Sequence, residues 1–136
     1  MSGKFLLDTN IIIALFAEDP IVQERLIRAE EVFVPCIAIG ELYFGAYKSL
    51  KIQENLTRID EFALNNTVLP CDTDTANRYG DIKNRLKEKG QPIPENYIWI
   101  AAIPQQYALT LITKDAHFGI VENLNFANIN FKICQH

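Results

Sequence analysis

The chain has 136 residues, which most simply form one domain (1–136) long enough to bury a sizeable core. Hydrophobic residues make up 49% and charged residues 22%, as in soluble globular proteins, and no apolar run approaches the roughly eighteen residues of a membrane span. The net charge of −4 provides no general attraction to nucleic acid, so a polyanionic substrate would require a local basic patch or a bound metal.

Short β-branched runs alternate with helical patterns along the whole chain. In chain order the pattern predicts a strand at 5–7, helices at 10–17 and from 19–20, a strand at 32–35, helices at 37–48 and 51–65, a strand at 67–70, helices at 72–89 and from 95, a strand at 109–113 and an edge-like strand at 131–134. This alternation predicts an α/β fold with a parallel sheet covered by helices on both faces. We expect Val22, Leu26 and Ile27 to point inward, and Pro104 to kink or stop the last helix.

Asp8 stands where the first apolar run gives way to a helical pattern. Thr9 and Asn10 have the chemistry of a turn and a helix N-cap, which places Asp8 at the carboxyl end of the first strand. Ligands of open α/β sheets bind at that edge, and a carboxylate is costly to hold there without a cation or a hydrogen-bond donor. The simpler alternative is that Asp8 only caps the following helix.

Two further acids are expected near Asp8. Asp115 follows the strand at 109–113, and Glu41 lies about one turn into a largely apolar helix, where an unpaired acid is unusual. Three converging carboxylates would raise one another's pKa unless a cation lay between them, and oxygen-only ligands favour Mg²⁺, with Mn²⁺ as the alternative. Such a site activates water for in-line displacement at phosphorus. Two simpler roles stay open: Asp115 as a cap for the turn before His117, and Glu41 paired with a lysine at the edge of the core.

The three cysteines are odd in number and far apart in the sequence: Cys36, Cys71 and Cys134. We expect free, buried thiols in a reducing cytoplasm. With only two histidines, the chain is not expected to bind zinc. Polar residues interrupt the apolar run that follows Lys4, so no export signal is expected.

Five segments together carry a resemblance to a known family: LDTNIII at 7–13, IGELYFG at 39–45, GQPIP at 90–94, IAA at 100–102 and LITKDAHF at 111–118. In this order, over residues 5–133, they resemble the PIN-domain toxins of bacterial type II toxin–antitoxin pairs, the VapC-like ribonucleases. The resemblance implies a three-layer α/β/α sandwich with a central, mostly parallel sheet. It also implies a magnesium-dependent endoribonuclease that homodimerises and is held inactive by a cognate antitoxin, whose C-terminal segment covers the active-site face.

The same resemblance assigns roles to individual residues. The family's metal-binding acids correspond to Asp8, Glu41 and Asp115, of which Asp8 and Asp115 would hold the main metal. Glu41 would bind or orient a second metal or the attacking water. Asn10 and Thr113 match polar residues that support these acids.

One position departs from the family pattern. When the chain is aligned with the family pattern on the Pro-Ile-Pro and Ile-Ala-Ala segments, Tyr97 occupies the position of the family's fourth acid. A phenol is neutral at pH 7 and a poor magnesium ligand, so metal affinity should be weaker. Glu95 lies about 200° from Tyr97 around a helix, so it could replace the missing acid only if the first turn of that helix were unwound. Pro104 is a second departure, because the family's helix runs through this position without a proline.

A basic cluster beside the Pro-rich loop is the candidate for RNA contact: Lys83, Arg85, Lys87 and Lys89, with Lys114 next to Asp115. A solvated helix face is the simpler interpretation of this cluster. Tyr97 or Trp99 is a candidate for stacking on a base, although Trp99 is better suited to the core.

Three functions are compatible with these sequence features. The first is a metal-dependent endoribonuclease toxin that cleaves structured cellular RNA, with activity impaired by Tyr97. The second is a catalytically inactive PIN domain that binds an antitoxin. The third, another acid-rimmed metal phosphohydrolase, ranks last because the chain has neither a Gly-rich phosphate loop nor a D-x-D pair at a strand end.

Overall fold

The computed structural model describes residues 3–129, which form a five-stranded parallel sheet and six α-helices. The elements are β1 (Lys4–Leu7), α1 (Thr9–Phe16), α2 (Pro20–Ile27), β2 (Glu31–Pro35), α3 (Cys36–Tyr47), α4 (Ile52–Leu64), β3 (Thr67–Leu69), α5 (Thr73–Glu88), α6 (Glu95–Tyr107), β4 (Thr110–Thr113), a 3₁₀ helix (Ala116–Ile120) and β5 (Phe126–Asn128). No helix among these residues combines the length and apolar character needed to span a membrane.

The strand order is β3-β2-β1-β4-β5, with every neighbouring pair parallel. This arrangement places β1 at the centre, where alternate side chains enter opposite cores. Leu6 packs with buried residues of α5 and α6, whereas Leu7 packs with those of α1, α3 and α4. The predicted three-layer α/β/α sandwich is therefore confirmed.

The edge of the sheet differs from the prediction. The fifth strand is β5 (Phe126–Asn128), which pairs with β4 and was not predicted. A strand of three residues is too short for an alternating pattern of apolar and polar residues to be recognised in the sequence. The strand predicted at 131–134 lies outside the described residues.

Helix orientation was predicted correctly at Val22, which is fully buried, and wrongly at Ile27, which is 83% exposed. Ile27 is the last residue of α2 and lies about 140° around the helix from Val22, away from the buried face. Pro104 was expected to kink or stop its helix, and it does not stop it. Pro104 is buried inside α6, which continues to Tyr107 and ends at Ala108 in the left-handed region (φ 57°, ψ 48°).

Candidate active site

The carboxyl ends of β1 and β4 bring two acids to the same edge of the sheet. Leu7 lies opposite Ile112 in the register of these neighbouring strands. Asp8 directly follows β1, and its backbone N–H donates to the Ile112 carbonyl at 3.0 Å. Asp115 follows β4 by two residues. The acids are thus placed by strand register rather than by a flexible loop.

Asp8 is 3% exposed and has a partner for each carboxylate oxygen. Oδ1 accepts from the Thr9 backbone N–H at 2.8 Å, and Oδ2 accepts from the Thr113 hydroxyl at 2.7 Å. Burial raises the pKa of Asp8; the two hydrogen bonds oppose this effect, and the charges of Glu41 and Asp115 add to it. Asp8 is also the N-cap of α1, so its capping role is confirmed, and the prediction that Thr9 or Asn10 caps this helix was wrong.

Thr113 links the two strand-end acids. Its hydroxyl is fully buried, donates to Asp8 and accepts from the Asp115 backbone N–H at 2.9 Å. One hydroxyl therefore fixes the position of Asp115 relative to Asp8. Asn10 is exposed, and within residues 3–129 its side chain has no hydrogen bond to any of the three acids.

Glu41 reaches the same region from α3 and is held by two neutral donors. The Thr9 hydroxyl donates to Oε1 at 2.5 Å, and the Asn96 amide donates to Oε2 at 2.5 Å. No lysine of the described residues forms an ion pair with Glu41, so the alternative of a lysine partner was wrong. Sequence reasoning missed both donors. Only their positions in the sequence could have indicated this role: Thr9 adjoins a strand-end acid, and Asn96 lies in the first turn of α6.

Tyr97 contacts Asp115 directly. Its hydroxyl donates a hydrogen bond to Asp115 Oδ2, and its ring stacks on Phe118 with centroids 5.1 Å apart. This hydrogen bond, burial and the charges of the nearby acids raise the pKa of Tyr97 to about 12. Tyr97 is therefore a neutral hydrogen-bond donor at the position where the family pattern has an acid.

Asp115 also caps the 3₁₀ helix, which confirms the simpler role considered for it. Its Oδ1 accepts from the His117 backbone N–H at 2.9 Å and lies 2.6 Å from His117 Nδ1. Burial opposes ionisation of Asp115, but the hydrogen bonds from Tyr97 and His117 outweigh it, so its pKa lies below the ordinary value. His117 is a further neighbour that sequence reasoning did not assign to the site.

The three acids have suitable chemistry for a hard cation but do not form a metal cage in this conformation. All are oxygen donors of the kind that Mg²⁺ prefers, and Glu41 and Asp115 lie near enough to affect the ionisation of Asp8. Among residues 3–129, however, no group of three or more Asp, Glu, His or Cys side chains is arranged to hold a metal ion. Glu95 is no substitute, because it is exposed and pairs with Lys83 at 2.8 Å.

An apolar groove of about 190 Å³ opens beside Glu41, between α1, α3 and α4. Its walls include Ile13, Phe16 and Leu42, and Ile13 is 50% exposed. Arg58 lies along one side, where its guanidinium packs over the Phe16 ring. The groove thus connects an exposed apolar surface with Glu41.

Most of the predicted basic cluster is paired with acids. Lys83 binds Glu95, Arg85 binds Asp81 and Glu122, and Lys89 binds Glu122, all at 2.8–3.1 Å. These pairs are consistent with a solvated helix face. Lys114 is likewise within 3.4 Å of Asp19. Trp99 is half-buried and stacks on Tyr79 with centroids 4.1 Å apart.

Comparison with known proteins agrees with this arrangement. The PIN domain family profile matches residues 5–124. Ribonuclease VapC2 of Haemophilus influenzae is 35% identical over 116 residues, covering 82% of this chain and 86% of the relative. The tRNA(fMet)-specific endonuclease VapC of Salmonella typhimurium is 32% identical over 114 residues, covering 82% and 86%.

A solved structure supports the same relationship. A chain in DNA-bound VapBC from Salmonella typhimurium has a TM-score of 0.85 to this protein at 28% identity, covering 93% of this chain and 98% of that one. The sequence relatives and this structural neighbour therefore agree with the fold. The chain belongs to the PIN domain family and, within it, to the VapC group.

Proposed function

We propose that this protein is an endoribonuclease toxin that cleaves structured cellular RNA and is neutralised by a cognate antitoxin. The observation that carries the proposal is the linkage of Asp8 to Asp115 through Thr113, with Glu41 facing them. The names of the relatives support ribonuclease activity, and one relative acts on tRNA(fMet), a structured RNA. The VapBC assembly of the structural neighbour supports an antitoxin partner.

The proposed catalytic and metal-binding residues are Asp8, Glu41 and Asp115, with Mg²⁺ as the cation and Mn²⁺ as the alternative. When bound, such a cation activates water and stabilises the charge that develops at phosphorus. Thr113 holds Asp8 and Asp115 in register. Thr9 and Asn96 fix the Glu41 carboxylate, which orients the attacking water.

Tyr97 weakens this site in two ways. It adds no negative charge, and its hydroxyl occupies an Asp115 oxygen that would otherwise face a cation. A metal that binds Asp115 would therefore compete with this hydrogen bond for the electron density of that oxygen. We propose that the protein has lower metal affinity and lower activity than a member with an acid at this position.

The Tyr97–Asp115 hydrogen bond also supports a second candidate: a catalytically inactive PIN domain that acts as an antitoxin-binding partner. The apolar groove beside Glu41 would serve this function without any catalysis. In either case we propose a cytoplasmic homodimer. Light scattering of the purified chain, alone and with its antitoxin, would measure that oligomeric state.

Expression toxicity separates the two candidates. The chain and its Tyr97→Asp variant are induced in a bacterial host, each with and without the neighbouring antitoxin gene. An impaired toxin should slow growth weakly, the variant should slow it strongly, and the antitoxin should relieve both effects. A Tyr97→Asp, Asp8→Ala double variant controls for the burden of expression. Absence of toxicity from both the chain and Tyr97→Asp would contradict the ribonuclease proposal.

A further inference from the structure

Cys36 and Cys71 leave neighbouring strands at the same edge of the sheet. Cys36 is the first residue of α3 and directly follows β2, whereas Cys71 lies two residues beyond the end of β3. The two strands are parallel neighbours, and Pro35 lies opposite Leu69 in their register. The fold therefore brings the two thiols together although 34 residues separate them in the chain.

Both thiols are free, partly buried and within interaction distance of each other. Burial raises the pKa of Cys71 to about 11, and the Cys36 thiol contributes through its charge and a hydrogen bond, as does the charge of Asp72. Cys36 is the first residue of a twelve-residue helix. Because ionisation of Cys71 is disfavoured, we assign Cys36 as the attacking sulfur.

We propose that Cys36 and Cys71 form an oxidisable dithiol site, distinct from the acid site, that takes a peroxide as its oxidant. The Cys36 thiolate attacks one peroxide oxygen, which breaks the O–O bond, leaves Cys36 as a sulfenic acid and releases hydroxide, which takes up a proton to become water. The Cys71 sulfur then attacks the Cys36 sulfur. The S–S bond forms, and the sulfenic oxygen leaves as water with the Cys71 proton. In total, two thiols lose two electrons and hydrogen peroxide is reduced to two waters.

The bond would join Cys36, at the start of the helix that carries Glu41, to Cys71, the residue that precedes the N-cap of α5. A crosslink between them closes a long loop of the unfolded chain, so the oxidised protein should be more stable than the reduced one. Disulfides of this kind in reducing compartments are typically transient and redox-sensing.

Mass spectrometry and thermal unfolding test the proposal. The full chain carrying Cys134→Ser, which removes the third thiol, is reduced, treated with hydrogen peroxide, quenched with an alkylating reagent and digested. We expect a species lighter by two hydrogens and a Cys36–Cys71 crosslinked peptide. We also expect a rise in Tm of roughly 5 °C or more that dithiothreitol reverses.

Two controls make the result specific to the folded site. Cys71→Ser in the same background should accumulate oxygen adducts on Cys36 in place of the disulfide. Crosslinking should also be at least about tenfold slower in concentrated urea, where the two thiols are no longer held together. Absence of the crosslinked peptide, or equal rates in buffer and in urea, would overturn the proposal. Neither readout depends on ribonuclease activity.

Discussion

The hydroxyl of Tyr97 donates a hydrogen bond to Asp115, joining the first turn of α6 to the segment that follows β4. An aspartate at position 97 would instead oppose Asp115 with a second negative charge, and a cation would be needed to hold the two together. The neutral phenol of Tyr97 instead attracts the Asp115 carboxylate through its hydrogen bond. Each of the three acids of the candidate active site thus accepts a hydrogen bond from a neutral side chain of the protein.

Replacing Tyr97 with aspartate should strengthen magnesium binding. The change adds one carboxylate and frees an Asp115 oxygen, so we expect affinity for Mg²⁺ to rise by at least about tenfold in isothermal titration calorimetry. Tyr97→Phe is the matched control, because it frees the same oxygen without adding charge. Equal binding by the native chain and Tyr97→Asp would show that this position is not the missing ligand.

Removing the charge of Asp8 should abolish cleavage. In the Tyr97→Asp background, Asp8→Asn keeps the size of the side chain but removes the carboxylate at the centre of the proposed site. We expect at least about a hundredfold loss of cleavage of a tRNA mixture in magnesium buffer. Asp74→Asn, on the exposed first turn of α5, should cleave normally. Undiminished cleavage by Asp8→Asn would mean that the site has been assigned to the wrong residues.

Asn96 should act as a positioning residue for Glu41. Asn96→Ala removes the donor to Glu41 Oε2, and in the Tyr97→Asp background we expect about a tenfold loss of magnesium affinity, as for other supporting contacts of metal ligands. Circular dichroism should show an unchanged fold. Asn84→Ala, on an exposed position of α5, provides the control. If both variants bind magnesium equally, Glu41 is held by Thr9 alone or does not take part.

Stability should depend on Tyr97 at alkaline pH. The pKa of Tyr97 is raised to about 12 in the folded protein, so the folded state keeps a proton that the unfolded state loses near the ordinary phenol value of about 10. The stabilising effect is complete below about pH 10 and is lost as the pH rises to about 12. The Tm of the native chain should therefore fall more steeply over this window than that of Tyr97→Phe. Parallel Tm profiles would contradict the raised pKa.

The C-terminus of α6 offers a test of backbone strain. Ala108 is exposed and has φ 57° and ψ 48°, a conformation that suits glycine. Ala108→Gly should stabilise the protein by about 1 kcal/mol, seen as a rise in Tm of roughly 3 °C. The same substitution at Ala76, exposed within α5, should lower stability by a similar amount. A loss of stability in Ala108→Gly would show that the left-handed conformation is not strained.

The sequence was most informative where one strong pattern acted alone. Apolar runs ending in an acid located Asp8 and Asp115 at one sheet edge, because parallel strands share the direction of their carboxyl ends. The donors to Glu41 were not visible in this way. Thr9 and Asn96 are ordinary polar residues, and their role depends on how α1, α3 and α6 converge, which no local pattern encodes.

The errors within the helices and strands had separate causes. Ile27 lies about 140° around α2 from the buried Val22, so the helical period places it away from the buried face and the prediction misapplied that period. Pro104 lacks the N–H of an ordinary helix residue, yet it is buried inside α6 and the helix continues to Tyr107. β5 is too short to show a strand pattern, and its pairing depends on the exposed edge of β4.

The central pairing of β1 with β4 also determines when the site can form during synthesis. Asp8 and Thr113 are separated by 105 positions in the chain, so their hydrogen bond cannot form until β4 has emerged from the ribosome. The contacts from Thr113 to Asp8 and Asp115 therefore depend on the completed pairing of β1 with β4. A chain that ends before β4 has the N-terminal acids Asp8 and Glu41 but cannot assemble the site.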